Sequence, residues 1–534
     1  MKKVLLFLLL INYCNIAFGE KITYEGVSYE IINDKECWLV KDTENLGYVT
    51  ESNYEGLIVI PASINYEGKE YSVVKIDNYA FYKCKVTFLS LPNTIREIGI
   101  KAFSNSSLIE RVVLPNKIEF IPQYCFSGCI SLKTIEIPFS VKRIDEGAFQ
   151  YSGITSLDLP NQIIKIGDYA FANCNSLASI KIPDGLEKLG KAVFRDCPKL
   201  DEILVSDNCC NFMKWNSCLT SKPLNTIYYC PNSYQGDIIF PEDINLVEDG
   251  AFYGCSLITE IKFNDSLKRI NNCAFSNCTN LKEIILPKEL TYLGENAFDG
   301  CTSITNIVLQ NKLKEIGFGC FYYTQISNIT IPGSLELLAD KVFYLCNNLR
   351  TVNIRGIEPP SRTQYLFPLN WTIDVHVLKG MKAKYEDAKY WRNDSRIYDD
   401  LDWIKVQNII IEKEEYVCNI NEVYKAEAVI LPEDADAQYP IWSSSDESIV
   451  YIDKGGNFVG LREGVANIIA TAKDDSGVFA MATVKVTSSS AINNNFTDSE
   501  KVLRYDINGM LIKDKRKGIN IIKSAGKTYK KIAN

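Results

Sequence analysis

One histidine, eighteen cysteines and 66 acidic residues are the side chains that would have to carry chemistry in this 534-residue sequence. The lone imidazole, His376, removes nearly every Ser-His-Asp or Cys-His arrangement, because each needs a base within hydrogen-bond reach of its nucleophile. It sits in the alternation Asp374-Val375-His376-Val377-Leu378, the pattern of a strand with one buried face, where a structural role is expected. A carboxylate-pair hydrolase needs a pocket that fixes its two acids at a set separation. The acids here fall on variable surface positions of a regular pattern, and no segment leaves that pattern to build a pocket. The sequence therefore predicts no enzyme: no catalytic residue, no cofactor and no metal site.

The cysteines are more regular than chemistry requires. Cys84, Cys129, Cys174, Cys197, Cys255, Cys278, Cys301 and Cys346 each stand three residues after a phenylalanine, and Ser106, Ser152 and Thr324 hold the same place elsewhere. The slot accepts a small, weakly polar side chain. A recurrence of 22–23 residues is not the paired C-x2-C spacing of a zinc site. Equivalent side chains in stacked coils point in parallel, which does not suit disulfide torsions, so a buried ladder of free thiols is expected. Cys209, Cys210, Cys218 and Cys230 lie outside the ladder and are the better disulfide candidates.

A repeat positions these residues. A small residue followed by Phe recurs at Phe81, Phe103, Phe126, Phe149, Phe171 and Phe194, then at Phe252, Phe275, Phe298, Phe321 and Phe343. Further along each unit comes an aliphatic-Pro pair, as in Leu91-Pro92, Leu159-Pro160 and Ile331-Pro332. The alternation around Ile180 and Ile182 predicts a short strand with one face buried, and Pro183 ends it because proline has no N–H for a ladder. An Ile-Gly-x-x-Ala-Phe segment then turns the chain back and sends the Phe inside. A unit this short cannot bury its apolar side alone; stacked at a strand spacing of about 4.8 Å, the units share one core. One step is irregular. Phe194 and Phe252 are 58 residues apart, and the units between are degraded, as a drifting loop or a local binding feature would leave them.

The residues flanking each buried strand aliphatic are expected to face outward as a ribbon. They are Arg111 and Val113, Thr134 and Glu136, Ser156 and Asp158, Ser179 and Lys181, Glu260 and Lys262, and Glu283 and Ile285. Variable side chains on a stiff array suit a broad protein or glycan surface, so these are the candidate ligand-binding residues.

The repeat resembles the BspA-type leucine-rich repeat across roughly residues 22–400. Tyr24-Glu25-Gly26-Val27-Ser28-Tyr29 and Ile58-Val59-Ile60-Pro61 are similar to that family's N-terminal cap, and Asp374 through Tyr385 and Trp391 to its closing segment. The fold class is then mainly β: a leucine-rich-repeat solenoid of about 11–12 coils of 22–23 residues at 76–354, capped by 20–75 and 355–403. The resemblance implies adhesion to host matrix proteins or to other cells. From 404 to 488 short alternating strands replace the repeat, and a β-sandwich is expected. This segment resembles the group 2 bacterial immunoglobulin-like domain through Trp442-Ser443-Ser444-Ser445-Asp446 and Val459-Gly460-Leu461-Arg462-Glu463-Gly464. That implies a spacer or adhesion module, with Trp442, Ile449, Val459 and Ile468 as its expected core. Residues 489–499 read as a linker, and 500–534 as a short C-terminal β-module similar to the sorting segment of type IX secretion, or a small β-module with no targeting role.

The chain ends bear on compartment. Lys2 and Lys3 precede an apolar run from Val4 to Ile11, with small residues at Ala17 and Gly19, which predicts a secretory signal peptide over 1–19. A lipoprotein anchored through Cys14 is the alternative. No other stretch is long and apolar enough to predict a transmembrane span. The net charge of −8 hides a basic end: residues 511–534 carry +7, leaving about −15 elsewhere, which repels a phosphate backbone and argues against nucleic acid. An exported cell-surface protein is expected, engaging a protein or glycan of a host or neighbouring cell, or serving as a structural surface component without a ligand.

Overall fold

The computed structural model describes residues 19–42, 51–362, 366–367, 373–391 and 395–487, with the backbone of four strands between 503 and 533. Most of the expected signal peptide, Cys14 and the 489–499 linker lie outside the described residues. Residues 1–405 with 433–438 form one compact unit, and 406–432 with 439–534 the other. The first unit thus takes in a short stretch that the sequence placed in the second domain. Within it, the Arg355 guanidinium donates to both carboxylate oxygens of buried Asp436 at 2.6 and 2.8 Å.

The first unit is a solenoid of about 14 turns, longer than the Phe count because further coils continue the array at its ends and across the irregular step. At its start, Glu20–Tyr24, Val27–Ile31, Glu36–Leu39, Ser63–Tyr66 and Lys69–Ile76 make a capping sheet over fully buried Tyr29 and Tyr71. Each regular coil contributes to two parallel ladders. The expected one runs through strands such as Ser156–Leu157, Ser179–Ile182 and Glu202–Val205. The Ile-Gly segment, expected only as a turn, forms a second ladder of two-residue strands, as in Phe120–Ile121, Arg143–Ile144, Lys165–Ile166 and Lys188–Leu189. Its glycine is required by close approach: a Cβ on Gly294 would lie 2.4 Å from the Asn271 carbonyl carbon of the preceding coil.

The phenylalanines form a column of stacked rings in the interior. Successive centroids from Phe81 to Phe194 lie 5.2–5.9 Å apart, and those from Phe252 to Phe343 lie 4.9–5.8 Å apart. The Phe backbone N–H donates to the residue before the next Phe, as from Phe126 to Ala148 at 2.7 Å, which stitches coil to coil. The residues two before and two after each Phe are left-handed, so every coil bends twice around its ring. Tyr79, Lys101 and Tyr151 occupy these positions as readily as Gly128 and Gly300.

The irregular step is an inserted β-hairpin. Phe212–Trp215 pairs antiparallel with Cys218–Ser221, which pairs antiparallel with Thr226–Tyr229; that last strand joins the second ladder at Leu246–Val247. The hairpin separates two cores. Leu219 and Tyr229 pack with the N-terminal coils, and Cys218, Ile227 and Cys230 with the C-terminal ones. Tyr229 continues the ring column, its centroid 5.6 Å from Phe194. The array closes with Ile373–Leu378 and Ser395–Leu401, added in parallel to Thr351–Ile354, beside a short helix Lys382–Asp387. Buried Tyr385 and Trp391 donate to the Gly356 and Pro360 carbonyls at 2.8 and 3.2 Å.

The second unit is the expected immunoglobulin-like sandwich. One sheet holds Glu415–Asn419, Ile441–Ser444, Gly464–Thr471 and Phe479–Thr487, another Val423–Lys425, Val450–Ile452 and Asn457–Gly460. Its core centres on Tyr416, Val450, Phe458, Ile468 and Val484. Two expectations need correction. Val459 is half-exposed and Phe458 takes the interior place, a one-residue error that inverts a strand's faces. Trp442 and Ile449 are half-buried at the margin of the core, while Ile468 is fully inside. At the C-terminus the backbone forms a four-stranded antiparallel sheet through Leu503–Tyr505, Leu511–Ile512, Gly518–Ser524 and Lys527–Ala533.

Candidate binding surface

The first ladder presents two outward columns. Around each inward aliphatic, for example Val112 or Ile284, both flanking side chains face solvent. Arg111 and Val113, Thr134 and Glu136, Ser156 and Asp158, Glu260 and Lys262, and Glu283 and Ile285 are exposed; Ser179 and Lys181 are half-exposed. Thr134 and Glu136 lie on a coil whose segment is not paired as a strand, although it keeps the alternation around buried Ile135. Register extends the columns beyond the predicted twelve: Ser179 pairs with Glu202, Lys181 with Leu204, Ile239 with Lys262, Glu283 with Asn306 and Ile285 with Val308.

These added residues change the character of the surface. In the C-terminal half Ile239 pairs with Lys262, and in the next two coils Glu283 pairs with Asn306 and Ile285 with Val308, while Asp237 stands at a register shift opposite the Thr259–Glu260 stretch. Ile239 is 64% exposed, Ile285 60% and Val308 40%. Successive coils thus carry Asp237, Glu260 and Glu283 near exposed Ile239, Ile285 and Val308, with Lys262 among them, its ammonium 3.3 Å from Glu260. Glu283 accepts from the Asn306 amide at 2.7 Å, and Asp237 from the Thr259 hydroxyl at 3.0 Å. Sequence reasoning missed Asp237 and Ile239 because their coil ends in Phe240-Pro241 instead of an aliphatic-Pro pair.

The second ladder bears a groove of about 550 Å³ lined by Lys75, Glu97, Phe120, Arg143, Glu146 and Lys165. Its charges largely answer one another: Lys75 meets Glu97 at 2.9 Å, Arg143 meets Asp145 at 3.1 Å and lies over the Phe120 ring, and Tyr124 donates to Glu146.

The ladder thiols and His376 make contacts within the fold. Six ladder thiols, Cys129, Cys174, Cys197, Cys278, Cys301 and Cys346, donate to the carbonyl of the Phe one coil back at 2.9–3.2 Å. Ser106 does the same to Phe81, which explains why hydroxyls share the slot. Burial pushes the Cys346 thiol up to about 12 and Cys301 well above the usual thiol value, so neither supplies a thiolate at neutral pH. The His376 Nδ1 lies 2.8 and 2.9 Å from the two Asp400 oxygens, and its ring stacks on Tyr398. Among the described residues no group of His, Cys, Asp and Glu is arranged to hold a metal ion. Nor, among them, is any helix long and apolar enough to cross a membrane.

Comparison with known proteins matches this architecture. The BspA type leucine rich repeat region pattern matches in six copies over residues 74–201 and 222–350, leaving out 202–221, where the hairpin begins; the bacterial Ig-like domain (group 2) pattern matches 405–489. The chain is a BspA-type leucine-rich-repeat protein with a group 2 bacterial immunoglobulin-like domain. The pneumococcal vaccine antigen PcpA resembles this BspA-type chain in fold, at TM-score 0.52 and 16% identity over 72% of this chain and 98% of that one. A leucine-rich-repeat protein of Bacteroides ovatus is 26% identical over 71% of the chain and 99% of its own, at TM-score 0.41. An uncharacterised Clostridium acetobutylicum protein is 27% identical over 117 residues, which span 12% of its length. Families of this kind are typical of bacterial surface proteins.

Proposed function

We propose that this BspA-type protein is exported to the cell surface and binds a protein ligand through the outward columns of its first ladder, without catalysis. The observation that carries the proposal is the combination of Asp237, Glu260 and Glu283 with exposed Ile239, Ile285 and Val308 on successive coils. Isolated surface aliphatics are ordinary, but exposed aliphatics on several neighbouring coils of a stiff array, two of them directly paired, favour desolvation by a matching surface. The adjoining carboxylates select a partner carrying basic side chains, which favours a protein segment over a neutral glycan. The solenoid supplies the rigid platform, and the immunoglobulin-like segment 404–488 serves as a spacer. The basic, apolar N-terminus supports export, with the C-terminal sheet as a sorting element.

The test measures retention of purified host matrix proteins, serum proteins and glycans on the immobilised full chain. A protein ligand should be retained, and Ile285→Asp combined with Glu283→Lys should weaken it at least tenfold, while Lys165→Glu on the second ladder leaves it unchanged. Retention of no ligand, or retention indifferent to the ribbon substitutions, overturns the proposal and favours a purely structural surface component.

A further inference from the structure

We propose that Cys218 and Cys230 form a disulfide that closes the base of the hairpin made by Cys218–Ser221 and Thr226–Tyr229. In the antiparallel pairing of Cys218–Ser221 with Thr226–Tyr229, Leu219 lies opposite Tyr229. Continued outward by one residue on each strand, this register sets Cys218 opposite Cys230, which immediately follows its strand and donates its backbone N–H to the Ala251 carbonyl. Side chains opposite one another on antiparallel strands share a face, and the core packing agrees: Leu219 and Tyr229 enter the N-terminal core, Cys218 and Cys230 the C-terminal one. Opposed Cα atoms on such strands lie about 4.5–5.5 Å apart, inside the range a disulfide spans. Both residues are fully buried as free thiols, and the Cys218 thiol is directed at the Asn216 carbonyl at 3.6 Å, a contact it must leave to meet Cys230.

The other candidates lack this geometry. Cys209 packs with the N-terminal core and points at the Pro183 carbonyl, and exposed Cys210 points at the Asn208 carbonyl. Cys255 is the nearest rival, but it comes from the next coil, and its thiol is directed at the Cys230 and Pro231 carbonyls at 3.5 and 3.6 Å. The pairing bears on the proposed export, because an oxidising compartment is where such a bond forms and persists. The oxidant is a disulfide of the glutathione class. One cysteine thiolate displaces half of it, giving a mixed disulfide and one glutathione; the partner thiolate then attacks the protein sulfur and releases the second. The glutathione disulfide takes up two electrons, and the two thiol protons leave with the glutathione thiols.

The full chain, refolded in graded mixtures of glutathione and its disulfide, is alkylated in denaturant without reductant, digested and analysed by mass spectrometry. The linked peptides of Cys218 and Cys230 should exceed any other linkage at least tenfold, while Cys278, Cys301 and Cys346 are alkylated. Alkylation of both Cys218 and Cys230 in every mixture overturns the proposal, as does a Cys230–Cys255 link in their place. In a Cys255→Ser chain the Cys218–Cys230 link should persist, and its loss counts against the pair. The link found on refolding but absent from protein recovered from cells upholds the pairing and refutes export instead.

Discussion

The regular coils and the interrupted stretch between Phe194 and Phe252 solve the same packing problem with different residues. In a regular coil each slot is a column: a ring over a ring, a thiol or hydroxyl under the preceding Phe carbonyl, a glycine where backbones meet. In the interrupted stretch the columns continue with substitutes. Tyr229 replaces Phe and anchors its hydroxyl on the Leu200 carbonyl at 3.0 Å, and Cys255 finds the Cys230 carbonyl in place of a Phe carbonyl. A solenoid thus conserves positions in space, and the sequence motif is the cheapest set of residues that fills them. The hairpin is tolerated because Tyr229 and the second ladder restore the register on its far side.

The largest test of that equivalence is the ring column. Phe275 is fully buried between Phe252 and Phe298, with Phe263 edge-on at 5.7 Å. Phe275→Ala should destabilise by about 3–5 kcal/mol in urea unfolding, the range for truncating a buried Phe. A loss below about 1 kcal/mol would mean that neighbouring rings collapse into the space and that the column is not a fixed set of positions.

The hairpin side of the comparison predicts a smaller effect. Tyr229→Phe restores the repeat's own residue yet deletes the hydroxyl bonded to Leu200, so stability should fall by about 1–2 kcal/mol. An unchanged urea midpoint would show that the ring alone matters and that the substitute residue needs no anchor of its own.

The left-handed positions offer a gain. Tyr151 has φ of 58° and is 51% exposed, so its side chain returns little packing for the backbone cost. Asn105 and Asn277 hold the equivalent place in other coils. Tyr151→Asn should raise stability by about 0.5–1 kcal/mol, since Asn tolerates this conformation better than an aromatic residue. A decrease would mean that the exposed ring contributes more than its conformation costs.

Most of the solenoid was legible because its signals are local and repeated: a Phe every coil, an alternation, a proline. The second ladder was not, since two-residue strands carry no measurable period and their pairing depends entirely on the neighbouring coil. Asp237 and Ile239 went unseen behind Phe240-Pro241, and Leu204 and Val308 because register, which identifies the flanking pairs, exists only once coils are stacked. In the immunoglobulin-like unit no repeat averages out error, so Val459 and Phe458 were exchanged. The slot after each Phe was read correctly as small and weakly polar, but its partner, the Phe carbonyl one coil back, is a contact between units that no single unit reveals.

That contact sets the smallest effect. The Cys278 thiol donates to the Phe252 carbonyl at 3.2 Å, but the same oxygen already accepts the Cys255 backbone N–H at 3.1 Å. The thiol therefore serves a second lone pair, and losing it strands no buried acceptor, so the full desolvation cost of an unmade bond does not arise. Replacing sulfur by oxygen exchanges a weak donor for a stronger one and loses some apolar volume, two changes of opposite sign. Cys278→Ser should accordingly lie within about 0.5 kcal/mol of the parent chain in urea unfolding, well below the loss at Phe275. Ser106 shows that the hydroxyl fits, since it donates to the Phe81 carbonyl from the same slot. A loss from Cys278→Ser comparable to that from Phe275→Ala would mean that the slot is a rigid part of the core rather than an interchangeable donor, and the equivalence of substitutes across coils would fail at a slot that Ser and Thr share with Cys.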